Sequence, residues 1–586
     1  MIRRKAMVGV ALGCVGLAVL TACGQAAGGG GGSGSVTQNE ALTSVINPSS
    51  ATGGILKMAE SDQPDSTDPG NTYYAYTVPF ERLYARTLET YAAVPGAKGL
   101  QVVPDLATGP GQVSSDGLTW TYHIKPNIQF EDGEAVTTQD IKYAVERSAN
   151  YTTVLPNGPV YFQQYLTDPK YPGAYNDPSP DKMGLTGITT PDNTTIVFHL
   201  QQPFADFDYL VTMLETAPVP PSKDTGANYQ NHPQSTGPYM FKSYQPGKSL
   251  TLVPNPKWNA STDTTRKQLN KEIDVTFGVN ADDVDSRLLN NSIDLDLQSA
   301  GMQPNGRAKA LSDPTEAKNT DAVPAGRLWY IALNTQVAPL NNVHCRQAVE
   351  YAVDKVAAQT AYGGPMAGGQ IASTVLPPTV TGYTKYDDYE ALTQPHGDDV
   401  KAKQQLALCG QPNGFTVNIS ARSDRDFEMN AATAVQQSLS KVGIHTDIQG
   451  FPHSTYLTDF AGSPAYVHQH DLGIMMMGWA ADWPDGYGFL QQIVDSRAIK
   501  PAGNSNIEEE NNPDVNKLID QASSSNNASQ RNQIYGQIDK LVMQDAVIVP
   551  EVYANALLYR NPNLTNVYAN EAYGMYDFST IGVSGS

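Results

Sequence analysis

The stretch that decides the fold class is residues 115–141, which read SDGLTWTYHIKPNIQFEDGEAVTTQDI. Apolar and polar residues alternate over 118–124, which is the period of a half-buried β-strand. The pair Asp132-Gly133 then indicates a turn. Thr137 and Asp140 stand three residues apart, the spacing of a capping box, and predict the start of a helix. Strand, turn and helix within one short segment indicate a mixed α/β chain.

The rest of the chain extends this pattern. No charge run or Pro/Gly-rich linker divides it after Gly53, although 586 residues exceed the usual size of one domain. Asn512 before Pro513, and Ser529, predict two helix starts near the C-terminus. We therefore expect several lobes built from alternating strands and helices.

The N-terminus has the pattern of a signal peptide. Three basic residues at 3–5 precede an uncharged apolar stretch, residues 6–20. A helix of that length spans about 22 Å, less than the ~30 Å hydrocarbon core of a bilayer. The sequence therefore predicts a signal peptide over residues 1–22 and not a stable transmembrane helix.

The apolar stretch closes on Leu20-Thr21-Ala22-Cys23, which resembles the bacterial lipobox. The resemblance implies cleavage before Cys23, acylation of its sulfur, and anchoring to the outer face of the cell membrane. The alternative is an ordinary secretory peptide with a chance cysteine. Residues 23–52, rich in Gly, Ser, Thr and Asn, are expected to form a flexible tether.

Composition excludes several classes of function. The formal net charge is −21, and it becomes −24 without the three basic residues at 3–5. That charge argues against nucleic acid or anionic lipid as a partner of the folded body. No HExxH motif occurs, and the phosphate-loop-like Gly247-Lys248-Ser249 has Lys242 where the first glycine belongs. We expect neither an enzyme nor a cofactor.

Two cysteines remain once Cys14 leaves with the signal peptide and Cys23 is acylated. They are Cys345 and Cys409. In an exported protein a leftover pair predicts one disulfide, which would stabilise the fold by about 2–4 kcal/mol.

Several further blocks, taken together with residues 115–141, carry a family resemblance. They read GGILK at 53–57, PDSTDP at 64–69, TGPY at 236–239, NT at 334–335, RQAV at 346–349, AVDK at 352–355 and GWAADWPD at 478–485. In this order they resemble the family 5 solute-binding proteins of ABC importers, which include oligopeptide-, dipeptide- and nickel-binding receptors.

The resemblance implies a class II (cluster C) periplasmic-binding-protein-like α/β fold with two ligand-clasping lobes and a third inserted lobe. Lobe I would comprise residues 53–91, 186–325 and 546–586. Lobe II would be residues 92–185, and lobe III residues 326–545. A peptide would bind between lobes I and III by hinge closure, and a monomeric receptor would deliver it to the ABC permease.

The block at 478–485 carries the clearest ligand chemistry. In oligopeptide receptors of the family, the aspartate that matches Asp482 pairs with the peptide α-ammonium group. Trp479, at the end of the strand, is a further candidate to contact the ligand. The main chain at Gly478 and Ala480 would bond the peptide backbone like an added strand. The alternative is that Asp482 only caps a turn before Pro484.

Three residues elsewhere are candidates for the opposite wall or the far end of the ligand. Tyr73 and Tyr74 follow the 64–69 block and would flank the ligand, with core packing as the alternative. Arg422 follows a predicted strand and would meet a ligand carboxylate, with a solvated loop arginine as the alternative.

Other solutes stay open. His468, His470 and Asp471 suggest a metal, but no further ligand can be placed, so no metal site is predicted. A nickel chelate, an oligosaccharide or an opine-like amine would suit the same class of receptor. A surface enzyme or an adhesion scaffold is the remaining alternative.

Overall fold

The computed structural model of the chain describes residues 38–149, 154–159 and 161–584. The predicted signal peptide, Cys23 and residues 23–37 of the predicted tether lie outside the described residues.

The strands of the described residues alternate with helices along the chain. In chain order they are β1 (Ile55–Ala59), β2 (Glu89–Tyr91), β3 (Val102–Pro104), β4 (Gln112–Val113), β5 (Thr119–His123), β6 (Ile188–Asp192), β7 (Thr195–His199), β8 (Tyr239–Gln245), β9 (Ser249–Pro254), β10 (Glu272–Thr276), β11 (Leu295–Asp296), β12 (Thr320–Leu333), β13 (Gly369–Ile371), β14 (Thr416–Arg422), β15 (His445–Phe451), β16 (Ile474–Ala480), β17 (Ile548–Tyr559), β18 (Leu564–Thr565), β19 (Ala569–Asn570), β20 (Met575–Tyr576) and β21 (Gly582–Val583).

The α-helices are concentrated in the second half of the chain. They are α1 (Thr77–Glu81), α2 (Thr138–Ser148), α3 (Tyr161–Tyr165), α4 (Phe207–Leu210), α5 (Ala281–Leu289), α6 (Pro304–Ser312), α7 (Pro314–Ala317), α8 (Val343–Ala352), α9 (Lys355–Ala361), α10 (Gly364–Ala367), α11 (Asp399–Leu408), α12 (Asp426–Ser440), α13 (Pro464–Gln469), α14 (Gly486–Val494), α15 (Pro513–Ser524) and α16 (Ala528–Asp545). No helix in the described ranges has both the length and the apolar run that a bilayer crossing needs.

Three larger sheets organise these elements. A five-stranded sheet has the order β11-β1-β10-β9-β8, and a six-stranded sheet has the order β13-β17-β12-β16-β14-β15. A four-stranded sheet, β4-β5-β7-β6, comes from residues 112–199, which lie between β1 and β8 of the five-stranded sheet in sequence. Parallel pairs, such as β1 with β10 and β14 with β15, occur beside antiparallel ones. The predicted mixed α/β class is confirmed.

The local predictions around residues 115–141 hold in the structure. Strand β5 covers the alternating segment, and α2 begins with the predicted capping box between Thr137 and Asp140. Asn512 caps α15, with Pro513 in its first turn. The last helix starts earlier than predicted, because Asn527, not Ser529, caps α16 by accepting a hydrogen bond from the Gln530 N–H.

Two long strands connect the two main hydrophobic cores. Strand β12 contributes Val323 to the core around the five-stranded sheet and Leu328 to the core around the six-stranded sheet. Strand β17, its antiparallel partner, passes between the same cores near residues 555–557. The pairing of β12 with β17 shifts register between Pro324 and Leu328, where the backbone bulges. The two cores are therefore joined by a paired, locally irregular ribbon.

The predicted lobe bounds stay a prediction, although two of them divide strands that pack together in the structure. The bound at 185/186 separates β5 from β6 and β7, although β5 and β7 pair from Thr119 to His199. The bound at 545/546 assigns Ile548 to lobe I, although Ile548 lies in the core of the six-stranded sheet. Resemblance alone set both bounds, and the hydrogen-bonded partners of these strands are distant in sequence.

Residues 38–52, assigned to the tether from composition, pack on the folded body. Ala41 is fully buried, and its N–H donates to the Asp321 carboxylate at 3.0 Å. The Asn47 amide donates to the Leu564 carbonyl at 2.9 Å. Polar side chains of this segment thus replace water as partners of backbone groups, which composition cannot reveal.

The remaining cysteine pair lies on two neighbouring helices. Cys345, in α8, and Cys409, directly after α11, are joined by a disulfide in the structure. The predicted disulfide is therefore present, and both cysteines lie in the part of the chain that carries the six-stranded sheet.

Candidate functional site

The predicted site block begins on β16, between β12 and β14. Gly478 lies directly opposite Trp329 of β12, and a Cβ atom at Gly478 would lie 2.2 Å from that indole. Trp329 in turn stacks on Tyr362, with ring centroids 5.3 Å apart. The glycine therefore gives room to a packed tryptophan, which is a structural reason for its presence.

The end of β16 is paired on one side only within the described residues. Strand β14 pairs with β16 through Ile419 and Ser420, as far as Met475. Beyond that point the strands separate, and the Tyr456 hydroxyl lies 3.0 Å from the Met476 carbonyl oxygen in the gap. The last residues of β16 thus offer a backbone edge of the kind to which extended peptides add.

The Asp482 carboxylate is held by two tyrosines from distant parts of the chain. The Tyr73 hydroxyl donates to one carboxylate oxygen and the Tyr161 hydroxyl to the other. Burial raises the pKa of Asp482 to about 6, although the two hydrogen bonds lower it in part. No cation of the described residues forms an ion pair with Asp482. A shielded carboxylate without a counter-ion suits a positively charged ligand group.

The wall that carries Tyr73 is fixed by its own loop. The Tyr73 N–H donates to the Asp65 carboxylate at 2.8 Å, and the Thr72 hydroxyl donates to the same carboxylate. Tyr74 packs its ring against Tyr76, with centroids 5.9 Å apart. Tyr73 and Tyr74 are 48% and 46% exposed. The structure therefore brings Tyr73 to Asp482 and directs Tyr74 to Tyr76.

Trp479 and Ala480 lie on opposite faces of the sheet, as successive strand residues do. The Trp479 indole N–H donates to the Phe489 carbonyl at 2.9 Å, which ties the end of β16 to α14. Ala480 lies directly opposite Arg327 of β12. Whether either residue contacts a ligand stays a prediction.

The turn after Asp482 is capped by another residue. Asp485 accepts a hydrogen bond from the Tyr487 N–H at 2.8 Å and caps α14. A Cβ atom at Gly486 would lie 2.3 Å from the Tyr535 ring, so close packing fixes the path of the loop there. Asp485 thus caps the helix after Pro484, whereas the Asp482 carboxylate accepts hydrogen bonds from Tyr73 and Tyr161.

Aromatic rings surround the site from the side of the four-stranded sheet. Trp483 packs edge-on against Tyr161 with ring centroids 5.4 Å apart, and it stacks on Tyr209 at 6.4 Å. Phe204 contacts both Trp483 and Tyr487. These contacts position Tyr161 against Asp482.

Arg422 lies in an internal ion pair. Its Nη2 is 2.5 Å from the Glu428 carboxylate, and its Nε donates to both oxygens of that carboxylate. Its guanidinium also lies over the rings of Trp329 and Tyr456, at 5.8 and 5.5 Å. Glu428 of the adjacent helix already balances the charge of Arg422, and whether Arg422 also meets a ligand carboxylate stays a prediction.

Two residues near the site were not predicted from the sequence. Tyr161 contacts Asp482 across 321 positions of sequence, so no local pattern could indicate it. Arg327 interrupts an otherwise apolar part of β12 directly before Leu328, and that interruption was the available signal.

The histidines considered for a metal have other contacts. His468 Nε2 lies 2.7 Å from the Glu509 carboxylate, and the His470 ring stacks on Tyr466 at 4.0 Å. No group of three or more metal-ligating side chains occurs among the described residues.

Comparison with solved structures places the fold among binding proteins. The clavulanic acid biosynthesis oligopeptide binding protein 2 is 38% identical, with a TM-score of 0.90 over 94% of this chain and 99% of its own. A periplasmic murein tripeptide binding protein in its unliganded open form is 21% identical, with a TM-score of 0.72 over 92% of this chain. The predicted periplasmic-binding-protein-like class is confirmed.

Related sequences belong to the same class of binding proteins. The "Probable D,D-dipeptide-binding periplasmic protein DdpA" of Escherichia coli K12 is 27% identical over 88% of this chain and 92% of its own length. The oligopeptide-binding protein OppA of Bacillus subtilis is 24% identical over 78% of this chain and 80% of its own. Residues 101–501 match the model described as bacterial extracellular solute-binding proteins, family 5 Middle. The chain therefore belongs to the family 5 bacterial extracellular solute-binding proteins.

Proposed function

We propose that this protein is the solute receptor of an ABC importer and that it captures peptides by their α-ammonium group. One observation carries the proposal: the shielded Asp482 carboxylate has no counter-ion in the described residues and accepts hydrogen bonds from Tyr73 and Tyr161. Relatives named for dipeptide and oligopeptide binding support the same class of ligand.

The uncompensated negative charge of Asp482 explains why an ammonium group would be preferred as its ligand. An ammonium group supplies the positive charge that Asp482 lacks and three N–H donors, one of which can reach a carboxylate oxygen. Breaking such a shielded charge pair costs about 2–5 kcal/mol. The free backbone edge at the end of β16 would hold the main chain of the same peptide.

Capture involves closure of two lobes. In the proposed arrangement the lobe of the five-stranded sheet carries Tyr73, and the lobe of the six-stranded sheet carries Asp482. The paired strands β12 and β17 form the hinge, because they cross between the two cores. The closed receptor then delivers the peptide to its permease.

The protein would act as a monomer outside the cell membrane, anchored through acylated Cys23. Cys23→Ser should release it from the membrane fraction, with Cys14→Ser as the matched control that stays membrane-bound. Membrane retention of the Cys23→Ser variant would contradict the anchor without affecting the binding proposal.

The ligand proposal is tested with Asp482→Asn, which keeps size and removes charge. Affinity for trialanine should fall by one to three decades, the equivalent of about 2–4 kcal/mol. N-acetyl-trialanine should bind the wild type poorly and respond little to the substitution. Asp447→Asn, at an exposed position on β15, is the matched control and should bind like the wild type.

A small amine without a peptide bond is the second candidate, because Asp482 would bind any ammonium group. Isothermal titration separates the two. If simple primary amines bind as tightly as trialanine, the ligand class is the amine. If acetylation leaves the affinity of wild-type protein unchanged, Asp482 does not bind an ammonium group and the proposal fails.

A further inference from the structure

Two buried carboxyl groups face each other where the part of the chain around the four-stranded sheet meets α14 and α16. Asp206 lies directly before α4, and Asp485 caps α14. Each residue is 2% exposed. The carboxyl group of Asp206 forms a hydrogen bond with that of Asp485. Two carboxyl groups can share a hydrogen bond only when one of them carries a proton.

Within the described residues, one cation lies at ion-pair distance from this pair. The Arg531 Nε, on α16, is 3.3 Å from Asp206 Oδ1, and the Arg531 Nη1 donates to the Ser525 carbonyl at 2.9 Å. A single guanidinium balances one carboxylate, so a second negative charge would be buried without a counter-ion. The pair therefore retains one proton, which belongs to both carboxyl groups together.

The other titratable groups that act on the pair are tyrosines. They come from α3, α4, α14, α16 and β2, and they are Tyr91, Tyr165, Tyr209, Tyr487 and Tyr535. Burial raises the pKa of each of them above that of a free tyrosine, so they stay uncharged up to about pH 9. Changes of charge in this cluster below that pH are therefore changes of the carboxyl pair.

Asp206 belongs to the side of the four-stranded sheet. Phe207, the first residue of α4, packs on Trp120 of β5 with ring centroids 5.5 Å apart. Helix α2 packs on β6 and β7 of the same sheet, and its Arg147 donates to both carboxylate oxygens of Asp68 at 3.0 and 2.8 Å. The loop that carries Asp68 follows β1, so this buried ion pair ties the four-stranded sheet to the five-stranded one. These two sheets form one half of the receptor.

Asp485 belongs to the other half, because it follows β16 of the six-stranded sheet. The halves make further polar contacts beside the pair. The Ala205 N–H donates to the Ser523 carbonyl at 2.9 Å, and the Tyr165 hydroxyl lies 3.4 Å from the Tyr487 hydroxyl. Opening of the proposed hinge would break these contacts together with the hydrogen bond between the carboxyl groups.

We propose that Asp206 and Asp485 form a proton-dependent latch that holds the two halves of the receptor closed. The inference goes beyond the proposed function, because it concerns closure and not the ligand. With one proton in the pair, a hydrogen bond joins the halves. Without it, two carboxylates face each other beside one arginine and repel, most strongly where water is excluded.

The latch is closed on the acidic side of its titration. Burial and the negative charge of Asp485 raise the pKa of Asp206 well above the usual range. In the open form both carboxyl groups are hydrated, so closure takes up a proton at any pH between the ordinary and the raised pKa. The stability of the closed form is therefore present at low pH and is lost as the pH rises through the raised pKa.

Small-angle X-ray scattering of the ligand-free protein between pH 5 and pH 9 tests the latch. The wild-type radius of gyration should increase as the pH rises, because the halves separate once the shared proton is lost. Asp206→Asn should stay compact over the whole range, because its amide donates to Asp485 without titrating. A wild-type radius independent of pH, or a variant that opens like the wild type, would overturn the inference.

Asp208→Asn is the matched control. Asp208 lies in the same helix and also forms a hydrogen bond with a carboxyl group, that of Glu89. The Glu89 N–H donates to the Val211 carbonyl, directly after α4, at 3.3 Å, so this second pair lies within one half. The variant should therefore open with pH as the wild type does. Loss of the pH dependence in Asp208→Asn would assign the effect to the pair with Glu89 and refute the latch.

Peptide affinity gives a second readout. One shared proton links closure to pH, so the wild-type affinity for trialanine divided by that of Asp206→Asn should fall by up to tenfold for each pH unit above the raised pKa. The ratio cancels the titration of the peptide's own amino group. Asp485→Asn should behave like Asp206→Asn, since asparagine can still cap α14. A ratio independent of pH contradicts the latch, whereas a failure of trialanine to bind would count against the proposed function and leave the scattering experiment decisive.

Discussion

The molecule contains two clusters of arginines that differ in how far carboxylates balance their charges. In the first, Arg86 and Arg266 are fully buried with Asp105 and Asp263, and every arginine has a carboxylate within 3.3 Å. In the second, Arg327 and Arg422 lie over Trp329 and Arg425 lies nearby in sequence, and within the described part of the chain only Arg422 forms an ion pair, with Glu428. The charges of the first cluster are balanced within the fold, whereas two arginines of the second have no carboxylate partner among the described residues.

The difference lies in whether the donors of each arginine find partners within the fold. Arg86 also donates to the carbonyl oxygens of Asp105 and Thr262, so its donors are used within the fold. The Arg327 Nε has no hydrogen-bond partner, and the positive charge of Arg422 is close to it. A fold retains such an unbalanced charge at a cost, and cost without structural benefit is typical of functional sites.

The largest expected effect is the loss of the complete cluster. Arg266→Met leaves two buried carboxylates with one arginine and should lower the free energy of unfolding by about 3–5 kcal/mol. Chemical denaturation measures it, and Arg287→Met should change the same quantity by less than about 1 kcal/mol. A loss for Arg266→Met no greater than for Arg327→Met would remove the contrast between the clusters.

Local sequence patterns correctly predict the elements that depend on neighbouring residues. The capping box at Thr137 and the cap at Asn512 depend on residues within three positions of each other. The start of α16 was misplaced by two residues because Asn527 and Ser529 are both good caps. Boundaries that depend on distant pairing, such as that of β5 with β7, could not be derived locally.

The candidate site was also predicted only in part, because several of its contacts join residues that are distant in sequence. Asp482 stood in a block that family resemblance singles out, and the structure gives it two hydroxyl partners. Arg422 was assigned to the ligand because its partner Glu428 could not be recognised from sequence spacing alone. The unbalanced cation, Arg327, becomes apparent only when all carboxylates near it are known.

The carboxyl groups Asp263 and Asp482 differ in the same way, in whether a cation lies beside them. Burial alone would raise the pKa of Asp263, but the guanidiniums of Arg266 and Arg86 outweigh burial and lower it far below the usual range. Asp482 has hydroxyl donors and no cation, so burial prevails and its pKa is raised to about 6. In these two carboxyl groups the direction of the pKa shift follows the presence or absence of neighbouring guanidinium groups.

The smallest expected effect follows from this raised pKa. Between the ordinary value of 3.8 and about 6, folded Asp482 binds a proton that the unfolded chain releases, so its contribution to stability falls as the pH rises through that window and is constant above it. Two pKa units correspond to about 3 kcal/mol, and partial exposure reduces this to about 1–2 kcal/mol. Many other carboxyl groups titrate in the same range, so the quantity to measure is the difference in unfolding free energy between Asp482→Asn and the wild type without ligand. That difference should favour the variant at pH 7 and shrink toward pH 4. Saturating trialanine should cancel or reverse it, because the wild type binds the ammonium group more tightly than the variant and is stabilised more. A difference independent of pH would mean that water reaches Asp482 in the ligand-free protein, as in an open cleft.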